Sequence, residues 1–335
     1  MNLDTSVGNL DVADAEYVAI IVSVTVYGSI TAIGLTAVTV FLAVQIKGRS
    51  TFNEFPFFSI VWYLTLINLL NLITQATCIF PCMLVEIPDT GPLAVWQQVG
   101  VCLNDFTDQA IMYLTLLMAI NRFAVFVWKD LQAVFSTYHI RKVIWLTILI
   151  VIPLTTYRQI FGTRKKYNKK TLNFDDVLLT QSSDILINII SVSLYTLPLA
   201  NLIIYVIIYG FIRKQRRHSM YQSNDNDIAL LYQAITVSFF LELTRAFSVS
   251  APMLKTDTWV QWVLNITRSV CSVCNHSINP ILFMTTNKTV QRVLKGMLPR
   301  IYGVLQQSTS DNSGIPEKGD PTPPTPSPGH IVMTL

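Results

Sequence analysis

Asp105 and Asp108 stand three residues apart in a stretch whose other side chains are apolar or uncharged, and Arg122 follows fourteen residues after Asp108. At ~1.5 Å rise per residue, one helix would hold Asp108 about 21 Å from Arg122. Such a helix carries two carboxylates toward one end, on one face, and a guanidinium near the other end. Ionisable groups among apolar neighbours are expensive to bury and mark binding sites by default. Asn104 and Gln109 flank the two acids, Arg268 lies in another apolar stretch, and Glu242 and Arg245 are spaced to pair within one helix. Two readings are open for Asn104, Asp105, Asp108, Gln109 and Arg268. They bind a small ligand, or Asp108 and Arg268 form a structural ion pair between helices.

Other chemistry is thin. The 4 histidines and 5 cysteines are too scattered for a metal site, and Cys271-x-x-Cys274 has no second pair, so no metal or cofactor is expected. No His-Glu-x-x-His or Gly-x-Ser-x-Gly arrangement occurs, and an enzyme is not expected. The halves of the chain do not resemble each other, unlike many transporters. The basic residues form no patch interleaved with aromatics, so nucleic acid is not an expected partner.

The elements that must position these residues are legible in the composition. Of 335 residues, 51% are hydrophobic and only 13% charged, against roughly a quarter charged in soluble proteins. The charges gather between long uncharged stretches, as they do when lipid is the solvent. Spanning a bilayer takes about 20 apolar residues. Seven candidates fit, near 17–46, 56–85, 98–128, 142–161, 184–212, 228–254 and 259–286. The expected fold is an all-α seven-transmembrane helix bundle over 17–286, preceded by a short extracellular segment, 1–16. That segment holds Asp4, Asp11, Asp14 and Glu16 and no Lys or Arg, unlike a signal peptide, so the first span is expected to be retained.

Lys and Arg in the short connections set the orientation. Fifteen, from Lys47 to Lys318, fall on one side; Arg164, Lys165, Lys166, Lys169, Lys170 and Lys255 fall on the other. The expected topology is a multi-pass plasma-membrane protein with its N-terminus outside and its C-terminus in the cytosol. The basic run between the fourth and fifth spans either attracts an acidic ligand or is a solvated face. After the last span, Val290, Val293, Leu294 and Met297 alternate with Lys288, Gln291, Arg292 and Lys295. This predicts an amphipathic helix over 287–302 lying on the lipid bilayer. The remainder, 303–335, is rich in Pro, Ser and Thr and is expected to be a disordered cytoplasmic tail, either phosphorylated or inert.

Two motifs give the bundle a family resemblance. Asn121-Arg122-Phe123, closing the third span, resembles the Asp-Arg-Tyr element of rhodopsin-like G-protein-coupled receptors. Asn275-His276-Ser277-Ile278-Asn279-Pro280-Ile281-Leu282-Phe283 is similar to their Asn-Ser-x-x-Asn-Pro-x-x-Tyr, and Trp145, Pro153 and Pro198 fall where that superfamily keeps Trp and Pro. A narrower likeness covers about residues 30 to 290. Asn121-Arg122-Phe123-Ala124-Val125-Phe126 followed by Ala133-Val134-Phe135-Ser136 resembles the nematode serpentine chemoreceptors of class X (Srx-like).

The resemblance implies a chemoreceptor in sensory perception, with a small-molecule extracellular ligand in the outer half of the bundle. It implies signal transduction to a heterotrimeric G protein, an arrestin-type partner at the tail, and a place in a sensory cilium. Arg122, flanked by Asn121 and Phe123, would form the activation switch with Asn279, Pro280 and Phe283, Asn279 and Pro280 giving a hinge; the plainer reading of Arg122 is a snorkelling arginine. Departures are clear. Asn121 and Phe123 replace the Asp and Tyr of the motif, Val38 stands where the first span has Asn, and Asn68 replaces the Asp that helps hold sodium. The usual disulfide lacks its loop cysteine; Cys82 and Cys102 either pair with each other or remain two buried thiols. A ligand-gated channel of inverted seven-span topology is the alternative, motivated by the basic run after the fourth span.

Overall fold

The structure is a computed structural model and describes residues 4–85, 88, 90–168, 173–178, 185–218, 233, 235–244, 246–247 and 258–297. Met1–Leu294 forms one compact unit, and residues from Lys295 onward form a second, of which 295–297 are described as the end of a helix. Among the described residues, five helices are long and apolar enough to cross a membrane. They are Tyr17–Lys47 within α1 (Asp4–Lys47), Pro56–Leu84, Pro92–Phe126 (α5), Ile140–Gly162, and Ile185–Lys214 within α7 (Ile185–His218). The one-turn α2 (Arg49–Phe52) joins the first two. The second comprises α3 (Pro56–Thr74), a π-helical segment (Gln75–Ile79) and α4 (Phe80–Leu84); the fourth is α6 (Ile140–Tyr157) extended by a π segment (Arg158–Gly162). The chain is therefore an α-helical membrane protein.

Three further helices follow among the described residues. The apolar α8 (Ile235–Thr244) has ten residues, and the remainder of the predicted sixth span lies outside the described residues except Gln233, Ala246 and Phe247. The 29-residue α9 (Thr258–Thr286) is long enough to cross, but Asn265, Arg268, Asn275, His276 and Asn279 make it too polar to count among the five. The amphipathic α10 (Lys288–Met297) opens on Asn287, whose Oδ1 accepts from Val290 N at 3.0 Å as an N-cap. Val290 and Leu294 are buried while Arg292 and Lys295 are exposed, as its alternation predicts.

Burial identifies the centre. The apolar window of α5 is 61% buried, against 28% for α1 and α7 and 22% for α6. α5 packs on α3, α6 and α7, while α1 packs on α9 and α3. The peripheral helices turn apolar ridges outward: Leu146, Leu149, Ile150 and Ile152 on α6, and Ile189, Val192, Leu199, Ile203 and Val206 on α7. Exposed ridges of this extent are a surface made for lipid rather than water. Within the spans, hydroxyls are satisfied on their own helix, as in Thr31 Oγ1 to Tyr27 O at 2.8 Å and Thr65 Oγ1 to Val61 O at 2.7 Å.

Pro81 explains the π segment. A proline has no N–H, so the carbonyl four residues earlier, Thr77 O, loses its helical partner. The indole Nε1 of Trp96 on α5 donates to Thr77 O at 3.4 Å instead. Gly34 and Gly100 allow the closest approaches of helices: a Cβ on Gly34 would collide with Ser277 Oγ on α9, and one on Gly100 with Cys78.

Three features add detail to the outline drawn from the sequence. The connection between the fourth and fifth spans contains an antiparallel hairpin of β1 (Thr163–Asn168) and β2 (Asn173–Leu178). Its register sets Lys166 opposite Asp175 and Lys165 opposite Asp176, pairings of unlike charge that favour a strand pair. The segment before the first span is helical from Asp4 onward and continuous with it. α5 starts at Pro92, six residues before the predicted boundary, because Gly91 (φ 101°) and Pro92 at the first turn form a start signal for a helix.

Candidate functional site

Two sites lie toward opposite ends of α5. At the end near the hairpin, side chains alternate along β1, so Lys165 and Tyr167 turn inward while Lys166 is exposed. Tyr167 and Phe174, cross-strand partners with ring centroids 5.2 Å apart, pack on a core that includes Tyr27, Leu72, Ile79 and Val101. Burial pushes the Tyr167 phenol up to about 12, with the nearby Cys82 a smaller contribution in the same direction. Lys165 Nζ reaches Asp105 Oδ1 at 2.5 Å, and Gln159 Nε2 donates to Asp105 Oδ2. The hairpin is thus fastened to α5 by an ion pair and seated on the bundle by two rings.

Beneath it lies a cavity of about 130 Å³, lined among others by Tyr27, Gln75, Asn104, Asp108, Lys165, Tyr167, Arg268 and His276. A chain of polar contacts forms its wall. Tyr27 Oη donates to Gln75 Oε1 at 2.6 Å, and Gln75 Nε2 donates to Asn71 Oδ1 at 2.7 Å. Asn71 Nδ2 faces Thr107 Oγ1 at 2.7 Å and both Asn104 Oδ1 and Asp108 Oδ1 at 3.3 Å. Asp108 Oδ1 also lies 3.3 Å from His276 Nε2, within ion-pair range but off the line of a hydrogen bond. The other ring nitrogen, Nδ1, is 3.4 Å from Asn68 Oδ1. The chain links α1, the second span, α5 and α9 through groups with few alternatives in an apolar interior.

At the other end, the Arg122 guanidinium carbon stands 3.8 Å above the ring of Phe57 at the start of α3. That is a cation–π distance. Phe57 in turn lies 5.9 Å from the ring of Phe283 on α9, and Phe283 stacks on Phe41 of α1 at 5.4 Å. Arg122, Tyr205, Gln233, Asn279 and Phe283 surround a cavity of only about 10 Å³. Tyr205 Oη and Asn279 Oδ1 are buried there without a hydrogen-bond partner among the described residues. Pro280 sits inside α9 beside Asn279.

A family model described as "Protein of unknown function (DUF621)" matches residues 11–310. The chain belongs to that family. No curated protein sequence matches it. The DUF621 match runs from within α1 past the end of α10, so both ends of α5, the hairpin and α9 fall within the family's extent.

Several predicted residues meet in this DUF621 fold and others part company. Asn104, Asp108 and Arg268 line the cavity. Asp105 and Asp108, expected on one face, diverge: Asp105 turns to Gln159 and Lys165, Asp108 to Asn71 and His276. Gln109 follows Asp105, and its Oε1 accepts from Thr155 Oγ1 of α6 at 3.0 Å. At about 100° per residue, Gln109 lies about 40° to one side of Asp105 and Asp108 about 60° to the other, so the two aspartates face different neighbours. At the other end Arg122, Asn279 and Phe283 do converge, Asn121 is buried, and Phe123 packs against Tyr205, Ile208 and Ile212.

The Cys82–Cys102 disulfide is not formed. Cys82 Sγ donates to Cys78 O at 3.0 Å and Cys102 Sγ accepts from Gln98 Nε2 at 3.8 Å, each sulfur held on its own helix. Arg245, the proposed partner of Glu242, lies outside the described residues at the side-chain level, as do Arg164, Lys169, Lys170, Lys255 and the 303–335 tail. Sequence reasoning passed over Asn71, Gln75, Tyr27 and Tyr205. Asn71 and Gln75 carried a usable signal, two polar side chains four apart inside an apolar span.

Proposed function

We propose that this chain is a seven-span chemoreceptor that binds a small ligand in the cavity beneath the hairpin and signals through the Arg122 end of the bundle to a heterotrimeric G protein. In this reading α8 belongs to the sixth span and α9 is the seventh, its polar side chains tolerated because they face the interior. The N-terminus and the hairpin lie outside the cell. The observation that carries the proposal is that one helix, α5, lines the cavity with Asn104 and Asp108 and holds Arg122 against Phe57 at its far end. α9 does the same, with Arg268 and His276 in the cavity and Asn279 and Phe283 beside Arg122. A ligand that shifts either helix therefore acts on both sites. Asp108, Lys165 and Arg268 give the cavity both signs of charge, which suits a small polar molecule carrying both donors and acceptors.

Cells expressing the full chain, screened with small volatile and water-soluble molecules under a calcium or cyclic-nucleotide readout, test the proposal. A responding ligand should lose its signal in Arg122→Ala while the protein still reaches the surface. Signalling that persists in cells lacking G proteins favours the inverted channel. An N-terminal epitope separates the two readings independently: it is accessible on intact cells for the receptor and hidden for the channel.

A further inference from the structure

A second pocket, about 210 Å³ in volume, opens at the Arg122 end, where α1 runs out at Lys47 and α3 and α6 begin. Its lining includes Gln45, Arg49, Ser59, Trp62, Tyr63 and Arg141, and no Asp or Glu among the described residues. Arg49 and Arg141 come from different helices, are exposed, and have no side-chain hydrogen-bond or ion-pair partner among the described residues. Two guanidiniums facing one pocket with no counter-charge repel each other and favour an anion.

The inner wall supplies a second, independent observation. Gln45 is only 3% exposed, and its Oε1 has no hydrogen-bond partner among the described residues. A buried acceptor in that state costs free energy until a donor reaches it. An anion alone would not satisfy it; a hydroxyl would. Exchanging the amide oxygen and nitrogen leaves a donor there instead, which a phosphate or hydroxyl oxygen would satisfy. Trp62 and Tyr63 bring aromatic rings to the rim, and Tyr63 packs edge-to-face on Trp145 at 5.7 Å. Aromatic side chains at span ends sit at headgroup level.

We infer that this pocket binds a polyol phosphate, with Arg49 and Arg141 holding the phosphate and Gln45 accepting from a polyol hydroxyl. The ligand is the headgroup of an anionic membrane lipid or the free polyol phosphate of the same chemistry. The inference does not depend on the receptor reading.

The test uses the full chain in phosphatidylcholine nanodiscs, with a fluorescent phosphatidylinositol phosphate followed by anisotropy and competed by free inositol phosphate. Arg49→Ala/Arg141→Ala should weaken binding by about tenfold or more, as expected when charge-assisted bonds are lost. Arg141→Ala alone should weaken it less. Lys142→Ala, whose ammonium lies over the Tyr138 ring and off the pocket, should leave it unchanged. Both arginines are exposed and unpartnered, so these variants are expected to retain the wild-type melting temperature. Competition by free inositol phosphate identifies the soluble source, and its failure with lipid binding intact identifies the headgroup anchored by its acyl chains. Binding that is indifferent to both arginine variants, or that phosphatidylcholine matches, overturns the inference.

Discussion

Lys165 Nζ lies 2.5 Å from Asp105 Oδ1, so the first strand of the hairpin is tied to α5 by a charge pair whose carboxylate is almost fully buried. The basic run that looks like a solvated face from the sequence therefore contributes one residue to the interior. The tie covers the cavity and fixes the ring pair Tyr167–Phe174 above it. Removing one partner leaves the other charge with incomplete compensation, which costs more than removing both.

Lys165→Met should accordingly lower stability by about 1–3 kcal/mol, the cost of leaving a buried polar group poorly satisfied. The double variant Lys165→Met/Asp105→Asn should recover a good part of that loss. Thermal unfolding of the four members of the cycle in one detergent measures the coupling. A double-variant loss equal to the sum of the two single-variant losses would show that the pair holds nothing.

The polar chain in the cavity wall predicts unequal sensitivities along its length. Asn71 is fully buried and contacts Gln75, Thr107, Asn104 and Asp108, so Asn71→Leu leaves several polar groups without their partner. Its cost should be about 1–3 kcal/mol, whereas Tyr27→Phe, which removes a single hydroxyl bond to Gln75, should cost about 0.5–1.5 kcal/mol. Melting temperatures of the two variants give the ranking, and a reversed order would contradict the described connectivity.

Helix approach gives a sharper case. A methyl on Gly34 would collide with Ser277 Oγ but would stand 3.3 Å from Ser277 Cβ. Gly34→Ala should destabilise the α1–α9 contact by about 1–3 kcal/mol, as overpacking does. Gly34→Ala/Ser277→Ala, which deletes the clashing hydroxyl, should restore most of it. Thermal stability of the single and double variants decides the matter.

The fate of the cysteines and the hairpin shows where sequence patterns stop. The three charges of α5 were legible because each is rare in an apolar span, and the meeting of Arg122, Asn279 and Phe283 followed from motif likeness. That Asp105 and Asp108 part company was not legible, since an offset of about 60° decides between two neighbours that only packing places there. The hairpin was hidden because Arg164, Lys165 and Lys166 share one charge, which conceals the alternation that turns Lys165 inward and Lys166 out. Pro81 signalled a disturbed helix, but the π segment and the rescue of Thr77 O by Trp96 depend on a residue brought from another span.

Alkaline pH supplies a separate probe of the hairpin. Burial raises the Tyr167 phenol from 10.0 to about 12, so folding favours its neutral form. The associated stability is complete below the unfolded value and declines as pH rises from about 10 toward 12. Tyr167→Phe has no proton to lose and should show a shallower fall in melting temperature over that window. Parallel pH profiles for the wild type and the variant would mean that the ring is solvated.

The most direct test of the receptor account is nucleotide exchange on a purified heterotrimeric G protein by the full chain in nanodiscs, with and without a ligand found in the cell screen. The account predicts that ligand accelerates exchange, that Arg122→Ala abolishes the acceleration while ligand still binds, and that Asp108→Asn weakens ligand binding. Exchange accelerated equally by wild type and Arg122→Ala, or a bound ligand that leaves exchange unchanged for every heterotrimer class, would contradict it.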